Sequence, residues 1–274
     1  PRSITSKSGG PPEVGQAGPA FAQWIERTKK MPTKRRFSRW LPTEGVPGRP
    51  ENIPAFPQQA AVILVLTLAS ASSDVLSYAR LGGILTSAMT GNTALLGLAL
   101  GEGKISAALR AAVALGGFSL GAAAASSLLR EARMISRLLM IEATMLGGFA
   151  GLWFRIQNHD ATVTLYTRIL LSSAAMGVQS AAARQINVPG INTIVFTTTL
   201  TAIIHGSVRA IQTTDSMLPA ATRQQITALA VYLCGAILTG LLIFLDVEAV
   251  VILPFAAVIA ARCFISVPAA PDAP

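Results

Sequence analysis

Residues 86–92, TSAMTGN, lie in the middle of GGILTSAMTGNTALLGLALG (82–101), a stretch otherwise apolar enough to enter a lipid bilayer. Thr86, Ser87, Thr90, Asn92 and Thr93 bring hydroxyl and amide groups into it, and Gly91 loosens the backbone between them. Hydrocarbon offers such groups no hydrogen-bond partner, so each must be satisfied inside the protein or face a wet cavity. The pattern predicts a broken or re-entrant helix.

The surrounding chain has the composition of a membrane protein. Of its 274 residues, 51% are hydrophobic and only 13% charged, with a mean hydropathy of +0.53. Soluble domains carry roughly 25% charged residues. Aromatics make up 6% of the chain, which suits helices packed through small side chains and not a barrel with aromatic girdles. We expect an all-α, polytopic transmembrane bundle. The net charge of +9 gathers largely in the first fifty residues. Beside a first span, that placement marks the cytoplasmic flank, and it is not read as nucleic-acid binding. Cys234 and Cys263 fall within apolar runs, where a thiol packs as a small buried hydrophobe, so neither a disulfide nor a metal site is expected.

Residues 1–58 are rich in Pro, Gly, Ser and basic residues and are expected to be a disordered tail. A helical domain is expected over 59–267, and a short tail over 268–274. Within the domain, apolar blocks cover 60–80, 84–100, 106–129, 135–154, 164–184, 191–209, 226–245 and 247–265. Their order repeats. A span ending Tyr78-Ala79-Arg80 precedes ILTSAMTGNTALL, and one ending Ala182-Ala183-Arg184 precedes INTIVFTTTLTAII. Laid together, Thr86 falls on Thr193, Thr90 on Thr197 and Asn92 on Thr199. This predicts two repeated halves, 60–155 and 163–265. If all the blocks cross, Arg130, Arg133 and Arg137 fall outside. If the two Thr-rich blocks are broken or re-entrant, about six full spans remain and the halves become inverted. Those arginines, with Arg184, Arg209 and Arg223, then join the basic N-terminus inside. The positive-inside rule favours six.

Inverted repeats with interrupted helices place solute-binding groups at the unwound backbone near the midplane. Thr86, Thr90, Gly91 and Asn92, facing Thr193, Thr197 and Thr199 across a pseudo-two-fold axis, would line a neutral, hydroxyl-rich site. Asp74 and its uncharged counterpart Gln179 would stand beside it. The competing reading is structural, with hydroxyls bonded back to their own helices and Asn92 acting as glue between helices. Asp74 and Glu142 are carboxyl groups inside apolar blocks, fit either to couple a proton or to pair with Arg80, Arg110 or Arg168.

Asp74 followed by TSAMTGNTALLGLAL, together with AAMGVQSAAARQINVPGINTIVFTTTLTAI (174–203) and the paired Gly-rich spans, resembles the YoaK-like family of uncharacterised bacterial and fungal membrane proteins, a domain of unknown function. The resemblance covers roughly 60–265. Leu85 stands in the region where that family usually has an aromatic. The resemblance implies a multi-pass protein of the inner or plasma membrane, and no established substrate.

The expected function is transport of a small solute across the bilayer, passively or coupled to protons. The alternative is a non-transporting scaffold or sensor whose basic tail binds anionic lipid or a cytoplasmic partner. The chain shows no His/Glu or Cys/His metal spacing, no nucleophile elbow and no phosphate loop, so we expect no enzyme activity and no cofactor. Its expected partners are the bilayer and a solute, and a homo-oligomer is compatible with the sequence. The N-terminus is expected to be cytoplasmic.

Overall fold

Pro57 opens the first helix, α1 (Pro57–Arg80), at a position where its missing N–H costs nothing. The computed structural model describes residues 57–128, 134–156, 162–186, 196–212 and 218–266, the side chains of 57, 58, 196, 197 and 266 excepted. The basic tail and Thr193 lie outside the described residues.

Gly82 and Gly83, both with positive φ (82° and 79°), turn the chain away from the end of α1. Residues 84–88 then run without helix to α2 (Met89–Gly101). At 13 residues α2 is about 20 Å long, too short for a hydrocarbon core of roughly 30 Å. The expected block 84–100 is therefore not one helix. Gly103 (φ 69°) makes the next turn into α3 (Ile105–Leu128). Arg110, early in α3, donates from Nε to the Gly82 carbonyl at 3.1 Å, so the segment between α1 and α3 enters and leaves at the same end of the bundle. Unwound backbone of this kind survives at membrane depth only where protein supplies its hydrogen bonds.

α4 (Met134–Arg155), α5 (Thr162–Ile186), α6 (Phe196–Gln212) and α7 (Ala220–Phe244) follow. A 3₁₀ turn (Glu248–Ile252) leads into α8 (Leu253–Ser266). Among the described residues, five stretches are long and apolar enough to cross a membrane: Gln59–Arg80, Ile105–Leu128, Met134–Arg155, Ala220–Phe244 and Glu248–Ile265. α5 is as long as any, at 25 residues, yet polar: Arg168, Ser172, Ser173 and Gln179 are buried in it. α3 and α4 both pack on α5, so its polar groups face protein and not lipid.

The helix contacts follow one scheme twice. α1 packs on α7 and α8, while α5 packs on α3 and α4; α2 lies on α3, and α6 on α7. α1 crosses α5, and α4 meets α8. Exchanging α1–α4 for α5–α8 maps each of these contacts onto another or, for α1–α5 and α4–α8, onto itself. Directions agree as well. α3 and α5 run parallel, Gly117 lying against the Leu170 carbonyl and Gly121 against that of Ala174. α1 and α7 also run parallel, with Ile63 beside Ala228, Leu68 and Ala71 beside Gly235, and Arg80 paired with Asp246 at 3.4 Å. Glycines permit the close approaches, as is usual where lipid leaves packing as the main attraction between helices.

Cys234 and Cys263 are free and exposed on the helix surfaces, contrary to the expected burial. Lipid is as apolar as a protein core, so an apolar run does not reveal which of its faces points inward.

Candidate functional site

Asp74 lies six residues before the end of α1, about 9 Å down the helix, and is 1% exposed. Oδ1 accepts the backbone N–H groups of Thr86 (2.8 Å) and Ser87 (2.7 Å) and a long contact from the Thr86 hydroxyl (3.4 Å). Oδ2 accepts the Ser87 hydroxyl at 2.5 Å and the Tyr232 hydroxyl, from α7, at 3.0 Å. Thr86 Oγ1 also lies 2.9 Å from Ser73 Oγ. Every partner of the carboxyl group donates to it. Its place just ahead of α2 suits the positive end of that helix dipole.

Asn92, one turn into α2, reaches back to clamp the unwound stretch. Its Oδ1 accepts the Leu85 N–H at 2.9 Å, and its Nδ2 donates to the Leu85 carbonyl. One side chain thus replaces both hydrogen bonds that Leu85 would make in a helix. Gly91 keeps room for the Leu85 side chain: a Cβ there would come within 2.9 Å of Leu85 Cδ1.

The structure brings together Asp74, Thr86 and Asn92, and adds Ser73, Ser87 and Tyr232. Thr90 is exposed and stands away from the cluster, because Thr86 precedes the helix and the two residues do not share a helical face. Gln179 is also elsewhere. Its Nε2 donates to the Leu66 carbonyl (2.8 Å) and the Ser70 hydroxyl (2.7 Å), where α5 crosses α1 one turn or more before Asp74. Thr199 is buried in α6; Thr193 and the side chain of Thr197 lie outside the described residues, so the facing of the two Thr-rich words does too.

Among the described residues, no arginine pairs with Asp74. Arg80 binds Asp246, and Arg110 binds Gly82. Arg168 donates to the Leu152 and Ile156 carbonyls (3.0 Å each) and lies 4.7 Å over the Trp153 ring, closing the C-terminal end of α4. The second carboxyl group, Glu142, is fully buried, and neither of its oxygens has a partner among the described residues. Ser87 was legible as a hydroxyl beside Thr86. Tyr232 was signalled by a phenol inside an apolar span, since its O–H needs a partner there.

The Asp74 cluster is closed in this conformation: Asp74, Thr86, Ser87 and Asn92 are at most 3% exposed. A groove of about 420 Å³ runs between α1 and α7, but apolar side chains including Leu68, Ile226, Val231 and Leu238 line it. It is not a Thr/Asn-lined cavity.

The family model for the protein of unknown function DUF1275 matches residues 62–265. The chain is 31% identical over 149 residues to the UPF0700 transmembrane protein YoaK of Bacillus subtilis (strain 168), an alignment covering 52% of this chain and 64% of that relative, just under two thirds of its length. No solved structure matches. With a family match across its helical domain and several bilayer-length apolar helices, the chain is an integral, multi-pass membrane protein that belongs to the DUF1275 family.

Proposed function

We propose that this protein is a carrier for a small, neutral or weakly polar solute, built from two inverted halves in the plasma or inner membrane with its N-terminus in the cytoplasm. One observation carries the reading. A single buried carboxyl group, Asp74, holds the unwound lip of α2 in the first half and the Tyr232 hydroxyl of α7 in the second. Parting the halves would break the Tyr232 bond and open the Asp74 acceptor beside an unwound backbone. Those are the groups a solute hydroxyl or amide can bind. The matching contacts of α1–α4 and α5–α8 support the repeat, and three long helices in each half support its inversion. No catalytic chemistry is assigned.

The test uses single cysteines at Ser87 and at Gly103 in a protein lacking Cys234 and Cys263, labelled with a membrane-impermeant thiol reagent. In parallel, proteoliposomes are screened for uptake of uncharged polyols, sugars and amino acids. The reading expects Ser87→Cys to label slowly, faster when Tyr232 is Phe, and expects Tyr232→Phe to alter uptake. If Ser87→Cys stays silent in both backgrounds while Gly103→Cys reacts, the cluster is fixed packing. The completeness of that cluster is what favours the second reading, a non-transporting scaffold or sensor with a basic cytoplasmic tail.

A further inference from the structure

Glu142 takes no part in the Asp74 cluster, yet a carboxyl group without partners in a membrane protein's core is costly as a charge. Its neighbours along α4, Leu138, Leu139, Ala143 and Leu146, belong to one apolar cluster with residues of α1, α5 and α8. Its depth can be read from the packing. α4 and α5 are antiparallel, and Arg168 meets the Leu152 and Ile156 carbonyls. Eleven residues further along α5 is Gln179; twelve residues back along α4 from midway between those carbonyls is Glu142. The two side chains therefore lie at the same level.

At that level the hydrogen-bonding ledger has two open places. Gln179 spends its amide nitrogen on Leu66 and Ser70, while its Oε1 is buried and accepts nothing among the described residues. The Ser70 oxygen accepts from Gln179, which leaves the hydroxyl proton to give. One unused acceptor and one unused donor are what a neutral carboxylic acid requires, since it offers one O–H and one carbonyl oxygen. A carboxylate requires only donors. We propose that Glu142, Gln179 and Ser70 form a buried proton-binding site, in which the protonated Glu142 gives its hydrogen to Gln179 Oε1, by side-chain rotation or through one bridging water.

The charged groups on the packed elements do not neutralise Glu142. Arg137 and Arg184 are exposed, and Arg168 is engaged at the opposite end of α5. Asp74 is held by its own donors, and Glu248 is exposed in the 3₁₀ turn that precedes α8. Arg262 on α8, partly exposed, comes closest in depth, the α4–α8 contact being marked by Gly147 against Phe255; it makes no ion pair with Glu142. The site stands whether or not the protein is a carrier.

Infrared spectroscopy of the full chain in lipid at neutral pH tests it. A carboxylic C=O band is expected in the wild type, moved by isotope-labelled glutamate and lost in Glu142→Gln. Should Glu142→Gln fail to fold, Gln179→Leu serves instead, and is expected to shift the band by removing the acceptor. Absence of a glutamate carboxylic band, the result of an ionised Glu142 turned to Arg262, would overturn the proposal. So would a band that Gln179→Leu leaves unmoved.

Discussion

Asp74 does for the unwound lip of α2 what a neighbouring turn does inside a helix: it satisfies backbone N–H groups that have no carbonyl to bond. Replacing it with Ala strands the Thr86 and Ser87 amides and the Ser87 hydroxyl together and removes the acceptor of Tyr232. We expect Asp74→Ala to lower stability by about 3 kcal/mol, and Tyr232→Phe, which removes one donor and strands nothing charged, by about 1 kcal/mol. Unfolding in detergent measures both. Adding Tyr232→Phe to Asp74→Ala should change little further, because the bond is already gone. Much of this cluster was legible, since polar groups inside a lipid-soluble stretch have to meet something. Laying the two Thr-rich words together places Thr90 there, but the helix begins only at Met89, and Thr90 is exposed while Thr86 precedes the helix. Tyr232 could not be tied to Asp74 from sequence, as the partners are separated by 158 positions.

Between α3 and α5 the fold depends on residues without side chains. A methyl group on Gly121 would press into the Ala174 backbone, and one on Gly177 into that of Phe118. Gly116 and Gly240 face open space. We expect Gly121→Ala and Gly177→Ala to part the two helices and cut the yield of monodisperse protein on size-exclusion chromatography. Gly116→Ala and Gly240→Ala should be neutral or slightly stabilising, as expected in a helix interior. The composition announced such packing, but not which glycines carry it. Helices apolar all round give no inward face to read, and for that reason Cys234 and Cys263 were expected inside and lie outside.

Across the whole molecule, the hairpin course of residues 81–104, which begins and ends together, has a sidedness. Arg80 and Asp246 touch at one end of the bundle, and Arg110 brings the start of α3 to that end. Single cysteines replacing Gly103 and Asp246 should therefore react from the same face of the membrane. Reaction from opposite faces would mean that α2 crosses. The charge pattern of the sequence favours six crossings, because topology is written in loop arginines, which need no knowledge of packing. α5, read from sequence as the apolar block 164–184, is not among the five long apolar helices, and its buried polar groups make sense only once its neighbours are known. That polarity bears on how the protein is made. An arginine within a span opposes release into lipid by about 2.5–3.5 kcal/mol near the helix centre. A translocating α5, with Arg168 in its second turn, meets part of that resistance unless α3 and α4 are already in place to receive it. In a glycosylation-mapping insertion assay, α5 alone should be passed through the translocon, and α5 following α3 and α4 should be retained. The first half of the chain would then be the assembly template for the second, and synthesis order, from N-terminus to C-terminus, a condition of its insertion.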